Sequence, residues 1–94
     1  MMDEAIRKDV ETAARILREA GAAEVYVFGS AAHGTMRPDS DIDLAIRGLP
    51  PEQFFRTMGK VRHAISHLFD LVDLDDENPF TDYLVRKGKL LRVA

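Results

Sequence analysis

The sequence contains no cysteine. That excludes a disulfide framework and any thiolate metal site, and it fits a reducing, cytoplasmic setting. Nor is there an excess of positive charge: 13 basic residues stand against 16 acidic ones, a formal net charge of −3. Such a chain lacks the broad basic face that nucleic-acid backbones require, which argues against nucleic acid as a partner. A nucleotide held by metal ions and backbone amides stays open. Long apolar runs are missing too. The opening stretch, MMDEAIRKDVETAARILREAGAAEV, is charged throughout and has no apolar h-region, so it reads as neither a signal peptide nor a membrane span. No repeat, low-complexity segment or linker interrupts the chain.

What is present is an ordinary globular composition, 46% hydrophobic and 31% charged. The 94 residues are expected to form one domain, residues 1–94. A chain of that size buries about 60–65% of its unfolded surface, enough for a single core.

Periodicity gives the elements. Ile6, Val10, Ala13, Leu17 and Ala20 recur at helical spacing, predicting a helix from about Asp3 to Ala20 with Gly21 as its stop. EVYVF, Glu24 to Phe28, is β-branched and aromatic and reads as a strand. A second strand is expected from Asp41 to Ile46, closed by Gly48 and Pro50-Pro51. A helix then starts near Pro51, with an apolar stripe of Phe54, Met58, Val61, Ile65 and Leu68. FDLVDL, Phe69 to Leu74, is a third strand; Asn78 caps a short helix that starts at Pro79 and ends near Gly88. Leu90 to Val93 is a candidate edge strand. The order α-β-β-α-β-α-(β) implies a two-layer α+β fold, a small sheet of three to four strands with helices on one side.

The chemistry concentrates in FGSAAHGTMRPDSDIDLAI, Phe28 to Ile46. Asp41 and Asp43 are separated by one residue, so on a strand both project from the same face. Two carboxylates that close repel unless a cation lies between them, and hard oxygen donors suit magnesium. The Gly29-Ser30 turn, ten residues earlier, suits a phosphate: glycine allows close backbone approach, and amides of a following helical turn, Ala31 to His33, would point at the anion. Ser40 is placed to hydrogen-bond either the loop or a phosphate. Two metals about 3.5–4 Å apart, clamping the attacking and leaving oxygens, need a third carboxylate on a neighbouring strand. Asp70 and Asp73 differ by three and therefore face opposite sides; Asp70, flanked by Phe69 and Leu71, is the better placed for the pair.

Gly29-Ser30, ten residues, Asp41-x-Asp43 and a later apolar-Asp-apolar strand together resemble the minimal nucleotidyltransferases of the DNA polymerase β superfamily, over nearly the whole chain. The resemblance implies a nucleotidyltransferase fold, with Gly29 and Ser30 as the triphosphate-binding pair. It implies Asp41 and Asp43 as ligands of magnesium, with Asp70 as the third carboxylate, which also takes the proton from the acceptor hydroxyl. The substrate it implies is ATP and the partner a HEPN-domain toxin, whose tyrosine would receive AMP; the protein would then be an antitoxin. Many relatives carry arginine after the Gly-Ser pair and again two residues later, where this chain has Ala31 and His33, with Arg37 in the same loop as a compensating cation. Those departures motivate an alternative, a non-catalytic module that neutralises its partner by complex formation. Transfer to a small molecule is a third reading; 94 residues leave no length for a second domain to enclose such a substrate, so a partner protein is expected to complete the site.

Other features read as structural. His63 and His67 stand four apart, expected on one helix without a metal role. Asp75, Asp76 and Glu77 read as a solvated turn before a helix start. The apolar helix stripes allow a homodimer without requiring one.

Overall fold

The computed structural model describes residues 3–34, 37 and 39–94. Its elements are α1 (Glu4–Glu19), β1 (Glu24–Phe28), α2 (Ser30–His33), β2 (Ile42–Arg47), α3 (Phe54–Ala64), β3 (Phe69–Asp73), α4 (Pro79–Arg86) and β4 (Leu91–Arg92). A 3-10 turn, Pro51–Gln53, leads into α3. The strands form one sheet in the order β3-β2-β1-β4, with β2 and β3 parallel and the other two pairs antiparallel.

Local signals explain the helix boundaries. The Asp3 carboxylate caps α1 by accepting the Ala5 N–H at 2.8 Å. Asn78 caps α4 through the N–H groups of Phe80 and Thr81, and Thr81 reciprocates by accepting the Asn78 N–H. Strand faces then decide the layers. Val25, Val27, Ile42, Leu44 and Ile46 share one face and pack with Ile6, Val10, Ala13, Leu17 and Val61 from α1 and α3. Each fully buried Ile or Leu here contributes about 2 kcal/mol.

Two expectations need correction. The helices do not all lie on one side: Leu84 of α4 packs with Phe28, Ala45 and Leu74 on the opposite face. The small Ala45 side chain and the aromatic Phe28 there give a short helix something to bury against. And α3 stops at Ala64, so His67 and Leu68 are not on it. Ile65 turns extended, and the Ser66 and His67 N–H groups go to the Asp9 carboxylate at 2.9 and 3.0 Å, where a longer helix would have bonded them internally. Leu68, expected in the apolar stripe, is 73% exposed.

Candidate active site

β1 ends at Phe28, and Gly29 turns the chain with φ +65° and ψ −141°, a region essentially reserved for glycine. A Cβ at Gly29 would lie 2.3 Å from Asp43 Oδ2, so the bare backbone is pressed against that carboxylate. The single turn α2 follows. Its internal bonds begin with the N–H groups of Ala32 and His33, both donated to the Gly29 carbonyl at 3.1 and 3.2 Å. The N–H groups of Ser30 and Ala31 therefore have no intrahelical partner.

Asp43 is the second residue of β2, paired with Phe28 on one side and with Asp70 of β3 on the other. Register partners project from the same face, so Asp43 and Asp70 stand side by side, and Asp41, two residues before Asp43, shares that face at the strand's entry. Asp73 instead pairs with Ile46 on the face covered by α1 and α3, and its Oδ1 accepts the Asp75 N–H at 2.9 Å. Of the two β3 aspartates, Asp70 is therefore the one brought to the Asp pair.

The electrostatics match the geometry. Burial, then the charges of Asp70 and Asp41, push the Asp43 carboxyl above its ordinary value of 3.8. Among the described residues no side chain hydrogen-bonds or ion-pairs with any of the three. Three carboxylates gathered without an ion-paired partner among the described residues fit a hard divalent cation, which would reverse the penalty on Asp43. They are not closed around a common point: among the described residues no three acidic or imidazole groups form a ready-made metal cluster.

The remaining expected residues sort as follows. Ser40 Oγ accepts the Arg37 N–H at 3.0 Å, holding the loop, while the Arg37 side chain is exposed. Ala31 is buried in the core, so its position could not carry an arginine without repacking; His33 is exposed. His67 Nδ1 lies 2.6 Å from Asp9 Oδ2, far from its expected role as a helix residue. Asp75 accepts the Gly48 N–H at 2.7 Å and faces Arg47 at 3.7 Å, so it clamps a turn. Thr35, Met36 and Pro38, inside the ten-residue loop, lie outside the described residues.

Sequence reasoning missed the cleft beside the carboxylates. A hollow of about 410 Å³ is lined by Asp43 and Asp70 together with Phe28, Met58, Arg62 and Phe80. Phe28 and Phe80 meet edge to face at 6.3 Å. The available signal was the Met58–Arg62 spacing of four on α3, which aligns both on one helix face.

The sequence matches the family described as polymerase beta, nucleotidyltransferase, over residues 11–93. No curated protein matches it. Among solved structures it is similar to a toxin–antitoxin complex with AMP-PNP, at 28% identity and a TM-score of 0.67, covering 85% of this chain and 69% of that one. A structure of a minimal nucleotidyltransferase is 27% identical, with a TM-score of 0.71 and coverage of 93% and 94%. A variant of an MntA–HpeT toxin–antitoxin pair is 27% identical, with a TM-score of 0.64 and coverage of 97% and 72%. With a family match spanning most of its length and the Gly29–Asp43–Asp70 arrangement in place, the chain belongs to the polymerase β nucleotidyltransferase family.

Proposed function

We propose that the protein is a magnesium-dependent nucleotidyltransferase that moves AMP from ATP to a tyrosine hydroxyl of a HEPN toxin in the cytoplasm, and so acts as its antitoxin. The observation that carries this reading is the side-by-side pair Asp43 and Asp70, with Asp41 on the same face and Gly29 against Asp43. Similarity to toxin–antitoxin structures, one of them with AMP-PNP, supports the partner and the nucleotide.

In the reaction the acceptor oxygen bonds to the α-phosphorus, the bond from that phosphorus to the α,β-bridging oxygen breaks, and pyrophosphate leaves with the electron pair. Asp41, Asp43 and Asp70 would hold the magnesium, two ions in the full site, which neutralises charge on the phosphate oxygens. Asp70 accepts the acceptor's proton and passes it to water. The N–H groups of Ser30 and Ala31 and the Ser30 hydroxyl grip the outer phosphates, where Gly29 lets the backbone come close. Ser40 holds the loop through the Arg37 N–H. Positioning and charge neutralisation supply most of the rate.

The test is incubation with labelled ATP and magnesium, with and without a HEPN-type protein, taken first from a neighbouring gene where one is found, and with the Asp41→Ala/Asp43→Ala double variant as control. Label on a partner tyrosine, reduced about a hundredfold or more in the double variant, is the expected result. A stable complex that forms equally with the double variant, and no label, would favour the non-catalytic module.

A further inference from the structure

β3 is the outermost strand on its side of the sheet. Two hollows, of about 570 and 410 Å³, share Leu71, Val72 and Phe80, so together they make one groove along this strand. One wall comes from α3 and the turn before it, through Phe54, Phe55, Met58 and Arg62; the other comes from the start of α4, through Asn78, Phe80 and Thr81. The groove ends at Asp43 and Asp70.

Its floor is an unsatisfied strand edge. The Ile42 N–H donates to the Leu68 carbonyl and the Leu74 N–H to the Ile46 carbonyl, both at 2.9 Å. In a parallel ladder the even-numbered residues of β3 thus bond inward to β2, and the N–H and C=O groups of Phe69 and Leu71 turn outward. The strand FDLVD has no proline, lysine or bulge to blunt that edge. Above it stand two apolar anchors, Phe55 at 80% and Phe80 at 51% exposure. The charge is one-sided: Asp43, Asp70, Asp73 and Asp76 line the groove, against Arg62 as its basic side chain.

We infer that this groove is the acceptor-polypeptide site: an extended segment with apolar and basic residues adds to β3 as a fifth strand and delivers its hydroxyl to the Asp43–Asp70 end. Main-chain bonds to Phe69 and Leu71 supply affinity, the aromatic walls take alternate side chains, and the acids select basic flanks. A second copy of this chain is a poor occupant, because two such edges would set four carboxylates against four. The delivery of a hydroxyl rests on the transferase reading above; the docking does not.

The experiment uses synthetic peptides with a central tyrosine, leucine neighbours, and either lysine or glutamate flanks. Amide exchange is followed at Phe69 and Leu71 of the full chain, and label transfer from ATP is followed in parallel. The lysine-flanked peptide is expected to slow exchange at both amides and the glutamate-flanked one to leave them unchanged. Phe55→Ala and Asp76→Lys, both on exposed residues away from the phosphate and metal groups, should raise the required peptide concentration about tenfold with magnesium-ATP affinity unchanged. No slowing with any peptide, equal slowing by both, or slowing that follows protein concentration without peptide would overturn the proposal, the last assigning the edge to a second copy. Slowed exchange without label keeps the groove and overturns the transferase; label with β3 exchange unchanged does the reverse.

Discussion

Asp70 stands directly beside Asp43 across the parallel β2–β3 pair, and among the described residues neither has a basic partner. Like charges at adjacent register positions cost stability unless a cation joins them. This strain is located in the site, and it makes the metal-free protein less stable than its fold allows. Asp43→Asn should therefore raise stability while abolishing transfer. With solvent screening allowed for, the gain is roughly 0.5 kcal/mol, or about 2–4 °C in Tm for a domain of this size. Thermal denaturation without metal reads it; an unchanged or lower Tm would show that the carboxylates do not repel measurably.

Gly29→Ala combines two penalties. The backbone lies in a region that costs other residues about 1–3 kcal/mol, and the new methyl would meet Asp43 Oδ2. Denaturant unfolding should show a loss in that range. Activity should fall further than stability does, because the displaced group is the central carboxylate. A variant that unfolds more readily yet keeps full transfer per folded molecule would separate Gly29 from the site.

Asp9 ties α1 to the segment before β3. Its Oδ2 accepts from the Ser66 N–H and hydroxyl and from the His67 N–H and Nδ1. Burial pushes this carboxyl up, but the bonds from His67 and Ser66 outweigh it and hold it below the ordinary 3.8. A depressed carboxyl contributes stability that is present above its unfolded value and lost as pH falls through its folded one. Unfolding measured from neutral pH downward should thus lose stability below about pH 4, and Asp9→Ala should flatten that part of the curve. At neutral pH the same variant should cost about 2–3 kcal/mol, since several donors lose a charged acceptor.

Asn78→Ala removes the side-chain half of the cap on α4, the bonds from the Phe80 and Thr81 N–H groups, and leaves the Asn78 N–H on Thr81 Oγ. The expected cost is about 1 kcal/mol, a Tm drop of about 4–8 °C. Because α4 carries Phe80 to the cleft beside Phe28, the variant should also lower affinity for whatever occupies that cleft, which a titration with the acceptor peptide would measure.

Much of this arrangement was legible along the chain because its causes are local. β1 runs from Glu24 to Phe28 as its β-branched pattern predicts, and the Asn78-Pro79 start of α4 follows from capping chemistry alone. That Asp70 and Asp73 face opposite sides needed only the two-residue period of a strand, and the register puts Asp70 beside Asp43 and Asp73 beside Ile46. What escaped depends on contacts remote in sequence. The end of α3 is set by Asp9, 57 residues from Ser66. The side on which α4 packs is decided by Ala45 and Phe28, and the exposure of β3 by the order of the sheet. The cleft walls at Met58, Arg62 and Phe80 come from two helices that periodicity cannot orient relative to each other.

The connection between β1 and β2 leaves the sheet at Gly29 and rejoins it beside the residue it left, since Phe28 pairs with Asp43. The two ends of the loop are thus fastened by the same ladder of backbone bonds. A substitution at the exposed His33 can therefore vary the loop without moving the strand positions of Phe28 and Asp43. The loop can drift in sequence while the ladder keeps its two ends together.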